Sequence, residues 1–180
     1  MSSILQQYRK TAIPALQKEF HIANVMAVPK VHKVTINVGV GRIHKEQKTL
    51  DRIAHDIEML SGQKPVFRNA KKSIASFKMR EGVPVGISVT LRGKRMYDFI
   101  DRLVNIALPR SKDFRGIERK NLDQGGNLNL GIRESSIFPE LNYENVKDIF
   151  SLQVTVTTTA ASTAAGAALL KSLGFPIKDK

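Results

Sequence analysis

The chain has 180 residues, 42% hydrophobic and 25% charged, values that support a folded domain with a packed core and exclude a disordered or fibrous protein. It has no cysteine, which excludes disulfides and thiol catalysis, and no apolar run near the ~20 residues that a bilayer-spanning helix needs. The net charge of +13 favours a polyanionic partner, and it is concentrated: residues 1–60 carry net +4, residues 61–95 net +8 and residues 96–180 net +1.

In chain order, residues 3–20 read as a helix with Leu5, Tyr8, Ala12, Leu16 and Phe20 on one face, kinked or broken at Pro14. Residues 33–40 alternate with period two: Val34, Ile36, Val38 and Val40 point one way, Lys33, Thr35, Asn37 and Gly39 the other. The clearest helix is 47–60, where Leu50, Ile53, Ala54, Ile57 and Leu60 form a stripe that Gly62 stops. Residues 69–84 connect two strands and are basic, with Lys71, Lys72, Ser73, Lys78 and Arg80 around Phe77. A connection of that length is usually functional, and cations with an interleaved aromatic suit phosphates plus an unpaired base. A second alternating strand covers 85–92, with Val85, Ile87, Val89 and Leu91 opposed to Gly86, Ser88, Thr90 and Arg92.

Residues 94–107 form another helix, with Met96, Phe99, Ile100, Leu103 and Ala107 on its apolar face and Pro109 as its end. The segment 109–135 is rich in Arg, Asp, Gly and Asn; its mixed charge suits a protein partner better than RNA alone. A short helix is expected over 142–149 and a third strand over 152–157, with Leu152, Val154 and Val156 opposed to Gln153, Thr155 and Thr157. The last helix, 163–173, starts at Ser162 or Thr163 and stops at Gly174, with Pro176 beyond.

Strands that alternate bury one face only, and the helices are long enough to cover it. The expected fold is α+β: a two-layer sandwich of a mainly antiparallel sheet, helices on one face and a polar face open for RNA. No repeat or low-complexity linker divides the chain, so one domain is expected over 1–180, with long functional loops at about 69–84 and 109–135. The open face is made of Thr, Asn, Ser, Gln and Gly, with Lys33 and Arg92 toward its ends. Short uncharged donors let a broad ligand approach closely, and the shallow minor groove of an RNA helix is such a ligand. High strand propensity of threonine would account for part of the same composition.

Catalytic and cofactor signatures are missing. Gly39-Val-Gly41 follows a strand, but His44 stands where a dinucleotide loop needs its third glycine. The four histidines, His21, His32, His44 and His55, are spaced by 11, 12 and 11, which is not metal-ligand spacing. No nucleophile, acid–base pair or phosphate-cradling lysine loop is recognisable, so neither an enzyme, a metal, a cofactor nor a small-molecule substrate is expected. The N-terminus lacks the apolar core of a signal peptide, and no membrane contact is expected. The residues alone also leave open a general RNA-binding protein or RNA chaperone.

The run Leu60-Ser-Gly-Gln-Lys-Pro-Val-Phe-Arg-Asn-Ala-Lys-Lys-Ser73 resembles the signature of the L-five family of large-subunit ribosomal proteins, in its bacterial form. Further matches span the chain, among them Ile36-Asn-Val-Gly-Val-Gly41, Val89-Thr-Leu-Arg-Gly93, Asp113-Phe-Arg-Gly116, Ile137-Phe-Pro-Glu140 and Leu173-Gly-Phe-Pro176. The resemblance implies a cytoplasmic, ribosome-bound protein that anchors 5S rRNA in the central protuberance and touches 23S rRNA. It implies 5S rRNA contacts from Asn37, Gln63 and Thr90, which Lys33, Thr35, Lys64 and Arg92 would extend. The loop with Lys71, Lys72, Ser73, Phe77, Lys78 and Arg80 would reach the P-site tRNA. The segment with Arg110, Lys112, Asp113 and Arg115 would face small-subunit protein S-thirteen across an intersubunit bridge. Two departures stand out: the acidic pair usual at the last helix is replaced by Ala160-Ala-Ser-Thr-Ala-Ala-Gly166, and Asp123-Gln-Gly-Gly-Asn127 lacks the family's arginine.

Overall fold

The computed structural model describes residues 3–41, 43, 46–77, 79–112, 114–141 and 149–178. The side chains of Ser3 and Phe77 fall outside that description, as do Lys78, Asp113, His44 and most of the helix expected over 142–149. Five strands form one open antiparallel sheet in the order β2-β3-β1-β5-β4: β1 Val31–Gly39, β2 Val66–Asn69, β3 Pro84–Leu91, β4 Leu128–Ile132 and β5 Leu152–Thr158. Helices pack on it, and the fold is α+β as the alternation implied.

The expected stripes are where the core is. Val34, Ile36, Val38, Val40, Ile87, Val89, Leu91, Leu152, Val154 and Val156 are buried; Val85 is only half-buried. Two strands were not among the alternating segments. β2 has four residues, all exposed, so no period-two pattern marks it; it exists because β3 lies beside it in register, Val66 opposite Ser88 and Arg68 opposite Gly86. β4 lies inside the segment expected as a loop, where Asn129 and Gly131, poor strand formers, mask the buried Leu128, Leu130 and Ile132.

By compactness the chain divides into two units. The first comprises Met1–Val34, Leu91–Leu130 and Thr155–Lys180. It holds α1 Ser3–Gln7 and α2 Ile13–Glu19, joined by a wider π-type wind over Tyr8–Ala12. Buried Ile4, Tyr8, Ala12 and Leu16 recur every four residues, a spacing that drifts round a pure α-helix but that a π turn keeps on one side. For that reason Ile4 is buried and Leu5 only partly, against the α-helical expectation. Pro14 does not break the helix: it sits in the first turn of α2, directly after the π wind. The second long helix repeats the device: α4 Gly93–Arg102, a π wind over Leu103–Ala107, and α5 Leu108–Arg110, which contains Pro109 rather than stopping before it.

This unit also holds α6 Thr163–Ser172, whose N-cap is Ser162: its Oγ accepts from the Ala165 N–H. The last helix lacks first-turn acids, yet its start is fixed by backbone contact. Gly166 touches Gly126 so closely that a Cβ on Gly166 would lie 2.3 Å from the Gly126 carbonyl oxygen. The Thr163 hydroxyl donates to the Asp123 carbonyl at 2.9 Å. The second unit comprises Thr35–Thr90 and Gly131–Val154 and holds α3 Gln47–Ser61, with Leu50, Ile53, Ile57 and Leu60 buried. Among the described residues no helix is long and apolar enough to cross a membrane.

Candidate RNA interface

In the second unit the polar sides of β1 and β3 are exposed around Asn37 and Thr90, with Thr35 half-buried. The Asn37 carboxamide and the Thr35 and Thr90 hydroxyls have no hydrogen-bond partner among the described residues. Gln63 is brought to this surface by the end of α3. Gly62 takes a left-handed conformation, φ +70, and its N–H closes on the Glu58 carbonyl at 2.8 Å, which turns the chain toward β3. The Gln63 Nε2 then donates to the Thr90 carbonyl at 2.8 Å, and the Ser61 hydroxyl donates to the Gln63 carbonyl at 2.9 Å. Gln63 is thus held through Nε2, and its amide oxygen has no partner among the described residues. Lys64, next to it, is exposed.

Residues 70–77 and 79–83 form a hydrogen-bonded hairpin that continues β2 and β3 outward. Ala70 N–H donates to Val83 O at 2.8 Å, Gly82 N–H to Ala70 O at 3.0 Å, and Ile74 and Met79 exchange bonds at 3.0 and 3.2 Å. The Ser73 Oγ accepts from the Glu81 N–H at 3.0 Å, so Ser73 works within the hairpin. Lys71, Lys72 and Arg80 are exposed on it, and Phe77 lies in a tight turn, Ala75–Phe77. Glu81 is the single acid between residues 61 and 95, so little on this stretch opposes a phosphate.

In the first unit, Lys33 is half-buried and Arg92 exposed. Arg92 Nη1 lies 3.1 Å from His32 Nε2; a guanidinium can only donate, so this bond needs an unprotonated His32 Nε2. Arg110 ends α5, and Lys112 and Arg115 follow, all exposed. The far end of that segment is tied down where Ile117 N–H donates to Pro176 O at 2.8 Å and Lys178 N–H to Ile117 O at 2.9 Å. Among the described residues no group of His, Asp and Glu could hold a metal ion.

Some polar groups in and beside β4 and β5 are closed. Thr155 donates to Asn129 Oδ1 at 2.8 Å. Asn127 Oδ1 accepts from the Thr158 N–H at 2.8 Å, and the Thr158 hydroxyl donates to Gly126 O at 3.1 Å. Asp123 accepts from the Asn127 backbone and side-chain amides, both at 2.7 Å, and these bonds hold its carboxyl below the ordinary aspartate range. Sequence reasoning also missed Arg68. It belongs to the same basic run, but the short exposed β2 gave no alternation to place it on a face.

The chain matches two family models, one described as "Ribosomal protein L5" over residues 24–80 and one as "ribosomal L5P family C-terminus" over residues 84–177. It is 47% identical to the large ribosomal subunit protein uL5 of Syntrophomonas wolfei over 178 residues, which is 99% of this chain and all of that protein. To the proteins of the same name from Nitrosomonas europaea and Herpetosiphon aurantiacus it is 48% and 49% identical over 179 residues, again 99% of this chain and all of theirs. The motifs, the open sheet and likeness of this extent agree: the chain belongs to the ribosomal protein L5 family.

Proposed function

We propose that this chain is a non-enzymatic structural component of the large ribosomal subunit that holds 5S rRNA through the polar sides of β1 and β3. One observation carries the reading: among the described residues Thr35, Asn37 and Thr90 present short polar groups without partners, beside a Gln63 bonded to the Thr90 carbonyl. Groups without internal partners are solvated in the free protein and can exchange water for ribose hydroxyls and base edges at little conformational cost. Lys33, Lys64 and Arg92 supply phosphate contacts, which fix position without reading sequence. On the same reading the loop with Lys71, Lys72, Ser73, Phe77, Lys78 and Arg80 reaches a second RNA, the P-site tRNA. The segment with Arg110, Lys112, Asp113 and Arg115 meets small-subunit protein S-thirteen, and other surfaces touch 23S rRNA. One domain over 1–180 carries all these contacts.

The test is filter binding of 5S rRNA across a salt series. Asn37→Ala with Thr90→Ala weakens binding about tenfold or more, from two lost hydrogen bonds of roughly 1 kcal/mol each, with the salt slope little changed. Lys71→Ala with Lys72→Ala leaves 5S rRNA binding nearly intact and weakens tRNA contact in reconstituted ribosomes. The reverse pattern would show the two surfaces to be wrongly assigned. Equal affinity for 5S rRNA and duplex DNA at one salt concentration would replace the ribosomal reading with that of a general nucleic-acid binder or chaperone.

A further inference from the structure

β2 carries one long cation onto the polar side of the sheet. Partners directly across an antiparallel pair share a face. Arg68 stands opposite Gly86 and Val66 opposite Ser88, so Arg68 is on the side away from the buried Ile87 and Val89. Its Nε donates to the Ser88 Oγ, on the diagonal, at 2.9 Å. The stem of Arg68 lies over Gly86: a Cβ on that glycine would meet Arg68 Cβ at 3.7 Å and Asn37 Oδ1 at 3.9 Å. Gly86 and Ser88 are accordingly buried, although they alternate onto the polar side. Arg68 and Asn37 therefore border the same glycine, a guanidinium beside a carboxamide.

The guanidinium is oriented but not used up. Neither Nη1 nor Nη2 has a partner among the described residues, and Arg68 itself is exposed. A guanidinium held through Nε keeps its two Nη atoms as a planar fork that matches two oxygens of one phosphate. Fixing it in advance removes part of the rotamer entropy that a free surface arginine loses on binding.

We propose that Arg68, held by Ser88 across the β2–β3 pair, is a phosphate-binding residue of the RNA surface, forming with Asn37 a subsite for one ribose-phosphate unit. Asn37 takes the ribose hydroxyl and Arg68 the adjoining phosphate. This rests on the reading that the polar sides of β1 and β3 face 5S rRNA. Ser88 is a positioning residue: it contributes no charge and acts through Arg68.

The experiment measures 5S rRNA affinity over a salt series for Arg68→Gln, Arg68→Lys, Ser88→Ala and the Asn37→Ala, Thr90→Ala pair, with a thermal melt of each protein. Arg68→Gln is expected to lower affinity about tenfold at ~0.1 M salt and to reduce the salt slope by about one. Arg68→Lys keeps the slope but recovers only part of the affinity, since an ammonium cannot make the fork. Ser88→Ala also keeps the slope and loses about threefold, the signature of a charge retained but no longer aimed. An unchanged affinity and slope for Arg68→Gln, while the Asn37, Thr90 pair still weakens binding, overturns the assignment of Arg68 and leaves the sheet surface standing. A loss of affinity with no change in slope also overturns it, because no phosphate contact was removed. If neither variant weakens binding, the sheet-surface reading fails and the subsite fails with it.

Discussion

Thr90 and Thr155 occupy equivalent places in the strand pattern. Each lies between two buried apolar residues, Val89 and Leu91 or Val154 and Val156, and each points to the polar side. Their hydroxyls have opposite fates. Thr155 donates to Asn129 inside its own unit, whereas the Thr90 hydroxyl has no partner among the described residues, although its backbone carbonyl accepts from Gln63. The contrast extends to neighbours: Asn127 and Thr158 are consumed by internal bonds, whereas the Asn37 and Thr35 side chains have no partner among the described residues. A polar face is thus not one functional surface. Residues of the same kind serve stability where a partner stands opposite, and on the proposed reading those around Asn37 and Thr90 serve recognition. The comparison is sharp because it predicts separate phenotypes for the two sets.

The largest effect is expected on the closed set, at Gly166→Ala. The added methyl would lie 2.3 Å from a backbone oxygen and 2.4 Å from a backbone Cα of Gly126, atoms that cannot step aside as a side-chain tip could. Either the loop 123–127 leaves the start of α6 or the helix shifts. A cost of about 3 kcal/mol or more is expected in chemical denaturation, in the range of overpacked cores. A loss under ~1 kcal/mol would mean that the loop is not anchored there.

Next is Asn127→Ala. It removes the acceptor of the Thr158 N–H and one donor to Asp123, and a buried amide left unpaired costs roughly 1–3 kcal/mol. The pH dependence follows from Asp123, whose carboxyl is held below its ordinary value by the Asn127 side-chain amide first and its backbone amide second. A depressed carboxyl contributes stability that is full above the unfolded aspartate pKa of ~3.9 and is lost as pH falls through the lower folded value. Acid titration of stability should therefore show this loss below about pH 4 in the parent and a smaller one in Asn127→Ala. Because Asp123 is solvent-exposed, the pH effect is the minor part of the difference.

The extent to which this was legible beforehand differs by element for physical reasons. The stripes of α3 and α4 and the alternation of β1 are direct consequences of burying one side of a periodic chain, and they were readable. β2 was not, because four exposed residues have no period; only the neighbouring strand makes them a strand. Ile4 replaced Leu5 in the core because the π wind before Pro14 changes the turn, a tertiary accommodation that no α-helical template contains. At the candidate site, Asn37, Gln63 and Thr90 were nameable from the resemblance, but the bond that fixes Gln63 and the one that aims Arg68 depend on register. The hairpin over 70–77 and 79–83 likewise read as a loop because its ladder is made by backbone groups and by Ser73, which carry no hydrophobic signal.

The smallest effect decides the comparison itself. Thr155→Val and Thr90→Val make the same change of shape at equivalent strand positions, both to a residue that strands favour. In Thr155→Val the Asn129 carboxamide loses its donor at a half-buried site, so stability should fall by up to about 1 kcal/mol, with RNA affinity unchanged. In Thr90→Val no internal bond is lost, since the carbonyl that receives Gln63 belongs to the backbone and remains. Its stability should stay within ~0.5 kcal/mol of the parent while 5S rRNA affinity falls several-fold, because the group proposed to meet RNA is now a methyl. If the two variants instead showed the same losses of stability and of affinity, internal pairing would not separate structural from recognition residues on this sheet. The open donors of β1 and β3 would then be ordinary solvated threonines and asparagines with no special claim on RNA.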